Sequence, residues 1–472
     1  MFSCYLRSCL VLGLFWCGVS YKKDYTSYQV WRIYHQDDAD EHAIQALLQD
    51  DELQLDMWGE EDSSQSVDVE VPPGVRDTLA ARLEERGIRW DVTIPNLQSE
   101  IDRETDETEQ TEIEEEETLI RVMEKKKRKR RSLVDTAIYL TSREIFYNFS
   151  CVGKFARHAE IREWMKAAQN VHPGLIKVMS IGNTTEGRSM DVIKIGHDID
   201  KKPNIFIDAN IHAREWITSA AAVYIINQLI TQYNKDVNTT MLVNHFNWYI
   251  LPVANPDGFE FTHTTDRLWR KTRSKFYRRG RYCYGVDPNR NFDFHWLDCC
   301  HLSITRRCLS VREAIGCASS NPCSSLYAGP RAFSEPETRN MADFMLRLRP
   351  RFDLYVTLHS YTQKWLTTWS YTRERPSDYQ NQTRLAEIGK KALKAVHGTE
   401  FQVGSPAHIL YAAAGGSYDW AKGVANVTYA YGLELRDNGY HGFLLPRDQI
   451  IPSGEELWAG IQAVALEILR QK

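Results

Sequence analysis

Four runs in the later part of the chain constrain its fold more than any other feature: NIFIDANI (204–211), FNWYILPVAN (246–255), FDLYVTLHSY (352–361) and VTYAYGLELRD (427–437). Each is nearly continuous in apolar residues rather than alternating, the pattern of strands buried on both faces. Helical stretches lie between and after them: WITSAAAVYIINQLITQY (216–233), EPETRNMADFMLRLR (335–349), TRLAEIGKKALKAV (383–396) and EELWAGIQAVALEIL (455–469). The alternation predicts an α/β body over 132–472, with a central mixed, mostly parallel twisted sheet flanked by helices on both faces. In such sheets the site lies where strands end and loops begin. His212, His359 and Glu434 all fall at or near such ends.

A chain of 472 residues exceeds what one core usually supports, roughly 250–300 residues. A first unit at 21–100 supplies strand patterns at 28–34, 53–60, 67–73 and 88–94, with helical patterns at 38–49 and 75–87. The order βαββαβ predicts a small α+β prodomain, an antiparallel sheet with two helices on one face. Residues 101–118, IDRETDETEQTEIEEEET, are too acidic and too poor in apolar residues to pack, and read as a linker. The seven basic residues KKKRKRR (125–131) follow, and in a secretory pathway they offer a cut after Arg131 to a trypsin-like or dibasic-cutting protease.

Charge follows the same division. Residues 21–124 hold 30 Asp+Glu against 9 Lys+Arg, and 132–472 hold 33 against 41, so an acidic front piece is attracted to a basic body. The body's cations are not gathered in one block, so no nucleic-acid partner is expected. At the N-terminus, Arg7 precedes an apolar run from Cys9 to Val19 and the small residues Gly18 and Ser20. This is a signal-peptide layout over 1–20, too short to span a bilayer. The expected product is secreted and extracellular, without a membrane segment, and monomeric. Four segments follow: 1–20 signal peptide, 21–100 prodomain, 101–131 linker and cleavage site, 132–472 catalytic body. Seven cysteines remain after the leader, an odd number for an oxidising compartment.

A lone His-x-x-Glu such as His212–Glu215 is common and says little. His359, at the end of another apolar strand, changes its weight, because two His and one carboxylate form a zinc set with one position left open for water. Bound zinc acidifies that water toward a pKa of ~7 and polarises a carbonyl oxygen. Glu434 ends a strand of Tyr, Ala, Leu and Gly, where a carboxylate is costly unless it is used or paired, and a salt bridge to Arg436 is the plain alternative. Arg270 lies in RLWRKTRS (267–274), and Asn289 with Arg290 in VDPNRNFD (286–293). Arg beside Asn suits recognition of a carboxylate, whose two oxygens a guanidinium fork can bond.

HAREW, NPDGFEFTHTTDRLWRKTRS, GVDPNRNFD, ASSNPCSSLYAGPRAFSEPET, LHSY, LYAAAGGSYDW and ELRDNGYHGFLLPRDQIIPSGEE, in this order, resemble a zinc metallocarboxypeptidase of the pancreatic A/B type. The resemblance covers essentially all of 132–472, and 21–100 is similar to that family's activation peptide. It implies His212, Glu215 and His359 as ligands of one Zn2+, Glu434 as general base, and Arg270 as stabiliser of the oxyanion. Asn289, Arg290 and Tyr411 would hold the substrate's terminal carboxylate, Arg214 would assist the approaching peptide, and Asp287 would orient His212. Cys283 and Cys323 would form a disulfide. The implied substrates are peptide or protein C-termini, shortened one residue at a time.

Tyr418 falls where B-type enzymes, which prefer Lys and Arg, place an Asp, so an A-type preference for apolar or aromatic termini is expected, with Gly432 giving room back. Segment 297–317 departs from the family: it is longer and carries four cysteines. Either it is a disulfide-stapled loop beside the site or it is translated intron. The alternative function is a non-catalytic peptide-binding protein on the same scaffold. Loss of a zinc ligand, the base or Arg270 would favour it, and all are present.

Overall fold

The computed structural model describes residues 22–106 and 151–472, apart from 49, 51, 62–64, 198–201, 279, 299–316 and 349, together with isolated positions between the two blocks. The expected leader, most of the acidic linker, the basic run with Arg131, and Cys299, Cys300 and Cys308 lie outside the described residues.

The N-terminal unit has the predicted order. Strands β1 (Gln29–Tyr34), β2 (Asp56–Glu61), β3 (Ser66–Val71) and β4 (Trp90–Ile94) alternate with helices Asp38–Leu48 and Arg76–Glu84. They form an antiparallel sheet in the order β2-β3-β1-β4. Trp31, Ile33, Val67, Val69 and Val71 pack with Ile44, Leu47, Leu79 and Leu83 of the two helices into one core.

The opposite face of this sheet is covered as well. Val-Asp-Val-Glu-Val in β3 has the alternation of a strand with one wet side, yet Asp68 and Glu70 are each only 5% exposed. That face lies on the C-terminal body. Val30, Trp58, Ile94, Leu97 and Ile101 pack against Leu268, Tyr361, Phe443 and Leu444. The Arg32 guanidinium donates to both oxygens of Asp68 (2.7 and 2.9 Å), and the Tyr361 hydroxyl donates to Asp68 at 2.8 Å. Arg267 forms a buried ion pair with Glu104 at the same boundary.

The body is built on an eight-stranded sheet. Its strands are β5 (Ile176–Asn183), β6 (Ser189–Ile195), β7 (Asn204–Ala209), β8 (Asn247–Leu251), β11 (Phe352–Ser360), β12 (Lys364–Thr367), β13 (Gln402–Gly404) and β14 (Tyr429–Leu435). A separate hairpin comprises β9 (Lys275–Arg278) and β10 (Arg281–Tyr284). The order is β13-β12-β14-β11-β7-β8-β6-β5. Pairs β12/β13, β11/β14, β7/β11 and β7/β8 are parallel; β12/β14, β6/β8 and β5/β6 are antiparallel.

Alternate residues of the central strands feed two cores. On one face Ile205, Ile207, Leu354, Val356, Tyr431 and Leu433 pack with helices Trp216–Thr231 and Ile450–Arg470. On the other, Phe206, Tyr355 and Ala430 pack with Met341 and Met345 of helix Pro336–Arg347 and Trp420 of helix Ser417–Gly423. The parallel strands β7, β11 and β14 end together at one edge of the sheet, and the candidate site is built there.

Candidate metal centre and substrate cleft

After β7 the chain turns at Asn210, whose φ of 55° lies in the left-handed region that Asn tolerates better than most residues. The Asn210 amide locks the turn by donating to the carbonyls of Ala213 and Glu215, both at 3.3 Å. Helix Trp216–Thr231 starts directly after Glu215. The turn therefore carries His212 and Glu215 over the end of β11, where His359 points from the second last residue of the strand.

The three residues are buried, and their ligand atoms all lie within 4.8 Å of one another; among the described residues no other His, Cys, Asp and Glu group is gathered this way. Nδ1 of His212 is 2.7 Å from a Glu215 oxygen, Nδ1 of His359 is 3.3 Å from the other, and the two Nδ1 atoms are 3.2 Å apart. Two imidazole lone pairs and a carboxylate aimed at one point suit a small dication with nitrogen and oxygen ligands, and a tetrahedral ion would keep one position open. The donor set fits the expected zinc. The outer Nε2 of His212 faces Asp287 Oδ1 at 3.1 Å, the carboxylate contact that zinc-bound His generally makes.

Asp287 is fully buried and touches several of the predicted residues at once. Its Oδ1 also accepts from the Asn289 backbone (2.9 Å), and its Oδ2 accepts from Arg270 Nε (3.1 Å) and Nη2 (2.8 Å). Despite burial, the positive groups Arg270, His212 and Arg290 hold its carboxyl well below the usual range. Arg270 Nη1 is 3.9 Å from Glu215. Glu434 pairs in register with His359 across β11 and β14, so both side chains face the same side of the sheet. Burial pushes the Glu434 carboxyl up to about 7, opposed by His359, Lys364 and Arg270. The alternative partner, Arg436, turns away and bonds Glu456 and Gln449.

Arg290 donates from Nε to the Cys317 carbonyl (2.5 Å) and from Nη1 to the Asn289 carbonyl (3.1 Å). Its guanidinium carbon lies 5.9 Å from the centre of the Tyr411 ring. Cys317, which is disulfide-bonded, thus anchors Arg290 through its backbone at the end of the unusual segment 297–317. Asn289 Oδ1 accepts from the Ser417 backbone at 2.9 Å. Cys283 and Cys323 are joined, with Cα atoms 5.1 Å apart.

His212, Glu215, His359, Arg270, Asn289, Arg290, Tyr411 and Glu434 line one cleft; Tyr418, Leu366, Ser370, Leu410 and Ala413 complete it. The Tyr418 ring occupies the space that the missing side chain of Gly432 would fill, 3.1 Å from where its Cβ would stand. The room expected from Gly432 is therefore taken by Tyr418 itself. Behind this floor the Asp419 carboxylate is engaged: its Oδ2 accepts from Ser370 N (2.8 Å), Ser370 Oγ (2.5 Å) and Tyr371 N (3.3 Å).

The N-terminal unit supplies the outer wall. Trp58 and Gly59 line the cleft. Arg214 pairs with Asp56, donates to the Met57 carbonyl at 3.1 Å, and lies over the Phe443 ring. Asp56, Trp58, Asp68 and Tyr361 were not legible as site residues, because their place depends on how two folded units meet. Thr357 and Ser370 were also missed; for Thr357 the signal existed, since period-two spacing puts it on the His359 face of β11.

A family model described as "Zinc carboxypeptidase" matches residues 161–460, and one described as "Carboxypeptidase activation peptide" matches 31–104. The chain belongs to the zinc carboxypeptidase family. It is a metallocarboxypeptidase, a hydrolase with the zymogen architecture of an activation peptide followed by a catalytic domain. It is 44% identical to "Carboxypeptidase B" of Astacus astacus over 308 residues, 65% of this chain and 94% of the relative. It is 35% identical to "Carboxypeptidase A2" of Mus musculus over 429 residues, 90% of each chain. The solved structure of carboxypeptidase A from Helicoverpa armigera superposes with a TM-score of 0.75 at 26% identity, covering 94% of this chain and 98% of that one.

Proposed function

We propose that this protein is a secreted procarboxypeptidase that hydrolyses the C-terminal peptide bond and prefers apolar or aromatic terminal residues. The observation that carries the reading is one cleft in which His212, Glu215 and His359 adjoin Glu434, Arg270 and the pair Asn289–Arg290. Zinc held by the first three would acidify a water molecule and polarise the scissile carbonyl. Glu434 is placed to take a proton from water in the cleft and to return it to the leaving amine, as a carboxylate poised near neutrality can. Arg270, oriented through two of its nitrogens by Asp287, faces the charge that develops on the carbonyl oxygen. Arg290 and Asn289 bind the free carboxylate, and Tyr411 closes on it. Because this fork stands inside the cleft, only a chain end reaches it, which restricts the enzyme to one terminal residue per cycle.

The same reading makes the N-terminal unit the inhibitor, with 21–100 as prodomain and 132–472 as the released enzyme. The cut falls in 101–131, although Ile101 and Glu104, expected in a segment too acidic to pack, are buried against the body and belong with the docked unit. An activating protease of trypsin-like or dibasic specificity would cut after Arg131. The product would act as a monomer outside the cell. No helix among the described residues is long and apolar enough to cross a membrane.

Leu366, Ala413 and the Tyr418 ring support the apolar preference, as a buried cation would meet no counter-charge at the pocket floor. The Astacus astacus relative is named "Carboxypeptidase B", and Asp419 lies just behind Ser370, so the opposite preference has a definite test. The cut enzyme should release Phe and Leu from blocked peptides at least tenfold faster, by kcat/KM, than Arg or Lys. Faster release of Arg or Lys would overturn the A-type reading.

A further inference from the structure

His212 has Asp287 behind its outer nitrogen; the outer nitrogen of His359 faces two groups, and only one of them can hold it correctly. If Nδ1 binds the metal, Nε2 carries the proton and needs an acceptor. Asn289 Nδ2 lies 3.4 Å away, but an amide NH2 only donates. Thr357 Oγ1 lies 3.3 Å away and can accept. Its own proton is committed elsewhere, because Thr357 Oγ1 donates to Asp208 Oδ2 at 3.0 Å. The other oxygen of Asp208 accepts from the Tyr355 hydroxyl at 2.5 Å.

The sheet builds this chain. Thr357 and Asp208 are direct register partners on β11 and β7, and Tyr355, Thr357 and His359 alternate onto one face of β11. Asp208, Tyr355 and Thr357 are all fully buried. A carboxylate set inside the mostly apolar NIFIDANI run is costly unless its oxygens are bonded, and here two hydroxyls bond them.

We propose that Thr357, held by Asp208, is the positioning residue that fixes the tautomer and ring orientation of His359 for zinc. The hydroxyl serves as the acceptor for the Nε2 proton, which leaves the Nδ1 lone pair for the metal. The relay rests on His359 being a zinc ligand. Outer partners of this kind typically contribute 10–100-fold to metal affinity.

The test uses the full-length protein. Thr357→Val, which keeps the shape and removes the oxygen, should raise the zinc dissociation constant roughly 10–100-fold in chelator competition. Thr357→Ser should restore most of that affinity. Thr357→Val also strips Asp208 Oδ2 of its donor, so the zinc-free Val variant should melt below the zinc-free parent; a merely structural hydroxyl would lower that temperature while leaving the zinc affinity of the folded protein unchanged. In the zinc-loaded parent, NMR should show a slowly exchanging Nε2 proton on His359, a readout that needs no variant. Unchanged zinc affinity in Thr357→Val, or a freely exchanging Nε2 proton, would overturn the relay alone. Retention of zinc by His359→Ala would overturn the ligand assignment and the relay with it.

Discussion

Glu434→Gln should retain zinc and lose roughly 10²–10⁴-fold in kcat, the usual contribution of a positioned general base. Three observations set this expectation. Glu434 is level with the ligand His359 on the adjacent strand. It lines the cleft. Its plain alternative, an ion pair with Arg436, is absent because that arginine is engaged with Glu456. The pH dependence follows with a definite sign. Burial raises the carboxyl to about 7, and a base works only when deprotonated, so activity falls as pH drops through its pKa. A dication bound beside it favours the charged form and lowers that pKa. The acidic limb of kcat/KM for the zinc enzyme should therefore lie below 7 and be absent from the residual activity of the Gln variant. Zinc content by atomic spectroscopy and a pH–rate profile check both points; full turnover in Glu434→Gln would remove the residue from its role.

Arg270→Ala should cost roughly 10²–10³-fold in kcat with little change in KM, the signature of a group used mainly in the transition state. The guanidinium is mostly enclosed, its side chain 10% exposed, and Asp287 engages its Nε and Nη2 edge. Nη1 is left toward the metal cluster. Arg270→Lys should recover only part of the loss, since an ammonium cannot hold the two-nitrogen contact with Asp287 while reaching the cleft. Steady-state kinetics on a blocked dipeptide separates the cases. A rise in KM alone would recast Arg270 as a binding residue.

The body's fold was legible where strands run apolar for their whole length, because nothing but burial on both faces explains β7, β8, β11 and β14. Strands β5, β6, β12 and β13 were not foreseen. β5 carries Lys177, Ser180 and Asn183, and β12 and β13 are short pieces whose order in the sheet depends on long-range pairing. In the front unit all six elements were readable from alternation and helical spacing. What Asp68 and Glu70 face was not, since a strand's second side is wet or dry according to what docks on it. The site divides similarly. His212, Glu215 and His359 stand out as polar residues ending apolar runs, whereas Tyr418 and Gly432 constrain each other only through a contact between a helix and a strand.

That second buried face bears on activation. On the proposed reading, the prodomain would be a tethered inhibitor while the linker is intact, at an effective concentration in the millimolar range typical of short flexible linkers. Cutting the chain removes the tether but leaves Arg214–Asp56, Arg32–Asp68–Tyr361, Arg267–Glu104 and the apolar cluster around Trp58 and Phe443 in place. Inhibition then becomes bimolecular and subject to mass action. Activity should lag behind cleavage seen on a gel, and dilution of the cut mixture should shorten the lag. Full activity at the moment of cutting, whatever the concentration, would mean that the docked face has little affinity of its own.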